Sequence, residues 1–295
     1  MRARLCAAAM CAALLLSSCS AAVSENGVYS LDGDLVKDIT PLDERSVERF
    51  AEKLVSVRET YLTDANQVFY AIIPDKAQYA DEAVPRIELD SVCDLLDSAL
   101  PDWTRIDLSD ALTADSYYRT DGHWRQEKLQ GVVDALGNSM GFSVDLSAFE
   151  QNQFDDFFGT YAKDVRQARP EKLIWLTNND TQAAVTDNYQ APDVTTVYDT
   201  GKLASEIPYD VFLSGATPVV TITNPTAATD RELVVFRDSF SSSLAPLLCG
   251  AYARITLLDL RYMASGLIPQ FVTFDDQDVL FLYSLEIVNN SAMLR

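Results

Sequence analysis

Five short runs constrain this chain more than anything else in it: "NQVFYAIIP" (66–74), "PVVTIT" (218–223), "ELVVFR" (232–237), "RITLLDL" (254–260) and "DVLFLYS" (278–284). Each is apolar at consecutive positions instead of alternate ones. A strand of that kind must be covered on both faces, which points to a mostly parallel sheet flanked by helices. The sequence between the runs supplies the helices. Residues 43–61 place Val47, Phe50, Leu54 and Val57 on one helical face, and "IELDSVCDLLDSAL" (87–100) keeps helical spacing up to Pro101. "QEKLQGVVDALGNSMG" (126–141) carries Leu129, Val132, Val133, Leu136 and Met140 at helical intervals. "WTRIDL" (103–108), "LIWLT" (173–177) and "VTTVY" (194–198) read as further strands. Strands alternating with helices predict an α/β three-layer sandwich with a mostly parallel central sheet.

The start of the chain obeys other rules. Arg2 and Arg4 precede the apolar run "LCAAAMCAALLLSS" (5–18). That run is shorter than the ~18–20 residues a membrane-spanning helix needs, so it reads as a secretory leader. Leu16-Ser17-Ser18-Cys19 matches a bacterial lipobox, in which the cysteine becomes a lipid-bearing N-terminus. The expected division is a lipoprotein signal peptide over 1–19, a polar tether over 20–40 and a single domain over 41–295. The expected location is the outer face of the bacterial cell membrane, held there by the lipid on Cys19. The other reading of the same residues is a secreted protein with an unmodified thiol.

Charge then excludes classes of partner. Lys and Arg number 23 against 44 Asp and Glu, a formal charge of −21, and Arg2 and Arg4 leave with the leader. Such a surface repels nucleic acid and other polyanions. Cys93 and Cys249 are the cysteines left beyond Cys19, and the sequence leaves open whether they pair. With one histidine in the chain, a zinc site is not expected. "FDDQD" (274–278) lacks the glycine and terminal glutamate of a calcium loop and reads as a solvated turn.

That single histidine, His123, lies in "TDGHW" (120–124), two residues after Asp121. Imidazole is the side chain that exchanges protons near neutral pH, although a lone histidine can equally serve as a local hydrogen-bonding group. A second motif changes the weighing. "ELVVFRDSFSSSLAPLL" (232–248) reads as buried strand, sharp turn and helix start, with Ser239 just past the strand. Active sites of open α/β sheets gather at the carboxyl ends of strands. A serine hydroxyl becomes a nucleophile only when a base takes its proton and a third group orients that base. Asp121, His123 and Ser239 have those chemistries. Ser239 or Asp238 as an ordinary helix cap is the competing reading.

Taken together, "VFYAIIPDKAQY", "YYRTDGHW", "FDDFFGTYA", "YDVFLSG", "TITNP", "LVVFRDSFSSSLAPLL", "ARITLLDLRYM" and "DVLFLYSLEIVNNSAML" span most of the chain. In order and spacing they resemble the DHHW proteins, exported bacterial proteins related to the SGNH hydrolases and similar to the acetyltransferase-like proteins of alginate O-acetylation. The resemblance implies an SGNH-hydrolase-like sandwich with Ser239 as nucleophile, His123 as base and Asp121 as its partner. It implies O-acetyl transfer to or removal from an envelope glycan, with no cofactor and with a membrane-bound O-acyltransferase as partner. Two positions depart from the pattern. Gly122 stands where the family name has its first histidine, and Arg237 where typical SGNH hydrolases have glycine. Asn224 is a candidate second oxyanion donor or a turn former. Lys76 and Arg261, each just after a strand, are candidate substrate-binding groups or partners of structural acids. Trp124 can stack on a sugar or pack beneath its loop. A non-catalytic glycan-binding or assembly lipoprotein using the same cleft is the alternative function.

Overall fold

Residues 26–295 are described by the structure, a computed structural model, together with the two-residue strand β1 (Ala22–Val23). The leader and Cys19 lie outside the described residues. Strand β1 pairs with a hairpin of β2 (Val28–Leu31) and β3 (Asp34–Lys37), whose Val28, Leu35 and Val36 are buried. The expected tether is therefore folded from about residue 28 onward. Its apolar side chains have a surface to cover, which a polar composition taken over 20–40 conceals.

Helix α1 (Glu44–Tyr61) starts where Asp43 accepts the Ser46 amide at 3.2 Å, and it buries the expected Val47, Phe50, Leu54 and Val57. Strand β4 (Gln67–Ile73), helix α2 (Leu89–Ala99), strand β5 (Thr104–Arg105) and helix α3 (Gln130–Met140) follow. Helix α3 ends on Gly141, whose φ of 77° suits glycine. Next come β6 (Glu150–Phe157), β7 (Glu171–Thr177), the short helix α4 (Asn179–Ala183), β8 (Val185–Asn188) and β9 (Val219–Thr223). The chain closes with β10 (Glu232–Arg237), α5 (Ser241–Leu244), β11 (Arg254–Leu258), β12 (Asp278–Ser284) and α6 (Leu285–Asn289).

Seven strands make the central sheet in the order β5-β4-β12-β10-β11-β9-β8. The first five run parallel, and β9 is antiparallel to both its neighbours. Successive residues of the inner strands enter opposite cores. Leu233 and Val235 of β10 pack with Val132, Val133 and Leu136 of α3. Val234 and Phe236 pack on the other side with Phe50 and Leu54 of α1 and with Val92 and Leu96 of α2. This two-sided burial is what the unbroken apolar runs demanded, and it builds the expected three layers.

Three expected strands differ. "LIWLT" lies in β7, but β7 pairs with β6 in a separate two-stranded sheet. "VTTVY" forms no strand beyond a single bridge from Tyr198 to Phe212, and "WTRIDL" contributes only two residues to β5. Strands β6 ("EQNQFDDF") and β8 ("VTDN") are polar and were not expected from the sequence. Cys93 and Cys249 are both buried and free.

Candidate active site

At the carboxyl edge of the parallel strands the chain from Tyr117 to Trp124 folds back on itself. Tyr117 and Trp124 bridge, and the Tyr118 amide donates to the His123 carbonyl at 3.1 Å. Tyr117, Tyr118 and Trp124 are at most 1% exposed, so both arms are anchored in the core and only the tip faces outward. Two buried charges grip that tip from opposite sides. The Lys76 ammonium donates to the carbonyls of Tyr118 (2.7 Å), Arg119 (3.1 Å) and, in the hairpin, Leu35 (2.9 Å). The Glu171 carboxylate accepts the amides of Arg119 (2.8 Å) and Thr120 (2.7 Å), the Thr120 hydroxyl (2.7 Å) and the Arg125 guanidinium (3.1 Å). Loop carbonyls thus go to a cation and loop amides to an anion, which satisfies groups whose burial would otherwise be costly.

The tip carries Asp121 and His123. Asp121 Oδ1 lies 2.6 Å from His123 Nδ1 and also accepts the His123 amide at 2.9 Å. Asp121 Oδ2 accepts the Thr160 amide at 2.7 Å and its hydroxyl at 3.0 Å. Burial alone would raise this carboxyl. The charge and hydrogen bonds of His123, with the Thr160 and His123 amides, instead hold it well below the usual carboxylate range. His123 Nε2 lies 2.8 Å from Ser239 Oγ. Three side chains, one of them 116 residues beyond the histidine it meets, thus form one hydrogen-bonded line.

Close approach explains two glycines. A Cβ on Gly122 would run into the Tyr161 hydroxyl, and one on Gly159 into the Thr120 carbonyl and the Asp121 side chain. Any side chain at position 122 would therefore need Tyr161 to shift, so glycine suits this packing.

Tyr209 lies under the imidazole, with ring centroids 4.0 Å apart and an interplanar angle of 17°. Its hydroxyl is 3.0 Å from Ser243 Oγ, and burial raises the phenol so that it stays protonated. Ser243 Oγ is also 2.9 Å from Trp124 Nε1, which donates in addition to the Phe240 carbonyl at 3.0 Å. The same network therefore ties the histidine plane to the turn that holds Ser239.

The Ser239 turn follows β10. Asp238 Oδ1 accepts the Phe240 amide at 3.1 Å and Oδ2 accepts the Ser284 amide at the end of β12 at 2.7 Å. Arg237 is fully buried and donates to the Asp238 carbonyl (3.3 Å), Ser242 Oγ (2.7 Å) and the Thr217 carbonyl (3.4 Å). It replaces glycine with a clamp that holds the turn from inside.

Several candidate substrate groups are engaged elsewhere. Arg261 is committed to Asp259, with contacts of 2.9 and 2.6 Å. Lys76 holds carbonyls, as described, and Trp124 packs beneath its loop with no exposed face. Asn224 is at the opposite edge of the sheet, because β9 runs antiparallel: its amide donates to the Ala253 carbonyl just before β11 begins. Glu171, Thr160, Gly159 and Tyr209 were not singled out in the sequence. "FDDFFGTYA" and "YDVFLSG" contain the last three, whereas Glu171 heads an ordinary apolar run and gives no signal of its own.

No protein-family model matches the chain, and no curated protein matches it. Solved structures do. A DHHW family protein from Eubacterium siraeum is similar over 92% of this chain and 95% of that one, at a TM-score of 0.75 and 20% identity. The fold is that of a DHHW protein. PatB1 of Bacillus cereus, solved with a sulfonyl adduct, is similar over 88% of this chain and 95% of its own at a TM-score of 0.67 and 19% identity. The O-acetyltransferase domain of AlgJ from Pseudomonas putida covers 89% of this chain and 92% of its own at 0.56 and 14%. The three-layer sandwich with a mostly parallel central sheet, expected of the DHHW resemblance, is the architecture this chain has and shares with these structures.

Proposed function

We propose that this chain is a serine-dependent acyl-ester enzyme, an O-acetyltransferase or acetylesterase acting on an envelope polysaccharide. The observation that carries the reading is the line from Asp121 to His123 at 2.6 Å and from His123 to Ser239 at 2.8 Å. Both distances lie within the reach that proton transfer needs. His123 Nε2 takes the Ser239 proton as Oγ attacks the acyl carbonyl carbon. The tetrahedral oxyanion falls to the Ser239 backbone amide. His123 then gives its proton to the leaving oxygen, and the acyl group stays on Ser239 as an ester. In the second half the acceptor, a sugar hydroxyl or water, loses its proton to His123 as its oxygen attacks the ester. The bond to Oγ breaks and the proton returns to Ser239. Asp121 keeps its proton partner on Nδ1 throughout and stabilises the imidazolium. The sulfonyl adduct of PatB1 and the O-acetyltransferase description of the AlgJ domain, on the same fold, support the reading.

We propose further that the protein is exported and anchored by lipid on Cys19, and that a membrane-bound O-acyltransferase supplies its acyl group. An anchored enzyme of this kind works beside a membrane-embedded donor without diffusing away. Exchanging Cys19 for alanine is expected to release the protein from the membrane fraction or to block its maturation; unchanged membrane partition rejects the anchor.

A serine-reactive fluorophosphonate tests the chemistry. Label is expected on the mature protein, none on Ser239→Ala, and a rate lower by roughly 10³-fold or more on His123→Ala, since the three groups act as a unit. Labelling that survives in Ser239→Ala, or that is absent from the parent protein, rejects the reading and leaves the glycan-binding alternative.

A further inference from the structure

The chain at Tyr209–Gly215 is built against its own conformational preferences. Leu213, Ser214 and Gly215 have φ of 57°, 61° and 91°, three successive residues in the left-handed region. For Leu213 and Ser214 that backbone is unfavourable. It persists because it is held on several sides: the Leu213 amide donates to the Val197 carbonyl at 3.1 Å, the Leu213 carbonyl accepts Asn188 Nδ2 at 2.9 Å, and Ser214 Oγ donates to Asp199 at 2.9 Å. Strain fixed in this way collects at functional sites.

The turn brings Gly215 against Asp210, so closely that a Cβ there would strike the carboxylate. Asp210 directly follows Tyr209, whose ring lies under the imidazole. The carboxylate is half-buried and makes no hydrogen bond or ion pair among the described residues. Burial pushes this carboxyl up and Asp199 adds to the effect, while Lys202 and His123 oppose it. Its remaining exposure leaves the carboxylate solvated and open to a donor from a bound molecule.

We propose that Asp210 is the acceptor-binding carboxylate of this site, taking a hydrogen bond from one hydroxyl of the sugar while His123 deprotonates another. An ionised carboxylate only accepts, so its natural partner is a hydroxyl or amide donor. The anionic group and the −21 charge of the chain select a neutral or N-acetylated sugar over an acidic one. This assignment rests on the acyl-transfer reading above, and its test separates the two.

Chitopentaose is the probe. In the first measurement, p-nitrophenyl acetate acylates the enzyme and the acetyl group partitions between water and chitopentaose. Asp210→Asn is expected to lower the ratio of transfer to hydrolysis about tenfold, the size of one hydrogen bond to a charged group. An unchanged ratio overturns the assignment, as does acyl-enzyme that passes nothing to chitopentaose. The second measurement needs no turnover: chitopentaose binding to the Ser239→Ala protein, followed by NMR titration, is expected to weaken about tenfold on adding Asp210→Asn. Equal affinities, or no binding to the parent, reject the assignment whatever the fate of the catalytic reading. The melting temperature separates a binding role from a structural one. Asp210→Asn removes an unpartnered anion, so it is expected to rise; a fall together with an unchanged partition ratio marks a purely structural residue.

Discussion

Two turns in this molecule look alike in sequence and differ in every physical respect. "TITNP" spans the end of β9 and "VFRDSF" the end of β10, each running from a buried strand into a turn with a small polar residue. Asn224 is 3% exposed and fully engaged: its Nδ2 donates to Asp180 (3.1 Å) and the Cys249 carbonyl (2.8 Å), and its Oδ1 accepts the Thr226 amide (3.0 Å) and hydroxyl (2.8 Å). Ser239 is only half-buried, and its hydroxyl meets one partner, the His123 ring. Strand direction separates them. Strand β10 delivers its turn to the edge where the Asp121 loop lies, while β9 delivers its own to the opposite edge. The difference teaches that a polar group with all its bonds made belongs to the fold, and one left with capacity to spare belongs to the chemistry.

The two substitutions that isolate these roles have opposite signatures. Ser239→Ala carries the largest effect: ester turnover is expected to fall by roughly 10³-fold or more, while the melting temperature changes little because no buried bond network is lost. Asn224→Ala should do the reverse. It leaves the Cys249 carbonyl and the Thr226 groups without their partner, at about 3 kcal/mol, or roughly 6–10 °C in melting temperature for a domain of this size. Turnover per folded molecule is expected to stay at the parent value. Thermal melts and initial rates on the same preparations check both, and a rate loss in folded Asn224→Ala breaks the comparison.

What the sequence could reveal follows the same line. Consecutive apolar residues in β4, β10, β11 and β12 specify two-sided burial, so the layers and the parallel core were legible. The direction of β9 was not, since "PVVTIT" reads the same either way; that is why Asn224 appeared beside Ser239. Strands β6 and β8 were hidden because their polar faces give no apolar run. His123 stood out as the one histidine of the chain, Asp121 as the acid two residues before it, and Ser239 as the serine in the turn after a buried strand. Glu171 did not, because a carboxylate gripping backbone amides needs no particular spacing; and Lys76, open to a substrate or a structural acid, gave no sign of the three carbonyls it holds, because they come from distant segments.

A third turn sharpens the contrast with the smallest effect of the set. Asp75 and Lys76 follow β4 on the same edge as Ser239, yet both are drawn into the fold: Asp75 Oδ1 accepts the Ala77 amide at 2.8 Å, and Lys76 holds its carbonyls. Position at the carboxyl edge is therefore necessary for a reactive group and not sufficient. The engaged state of Asp75 leaves a mark on stability. Burial, chiefly, pushes its carboxyl up to about 6, with the Ala77 amide opposing. An open chain titrates this group near 3.9, so between those values the native state binds more protons than the unfolded one. Stability contributed by the protonated form is present at low pH and lost as pH rises through about 6. From pH 4 to pH 7 the loss amounts to about 2 kcal/mol. Asp75→Asn keeps an oxygen for the Ala77 amide and cannot ionise, so denaturant unfolding at pH 4 and pH 7 should show the variant gaining about 2 kcal/mol on the parent over that interval. Parallel stability curves for the two proteins would mean that Asp75 is solvated like a surface acid, and the rule that engaged turn groups are buried into the fold would fail at the edge where it matters most.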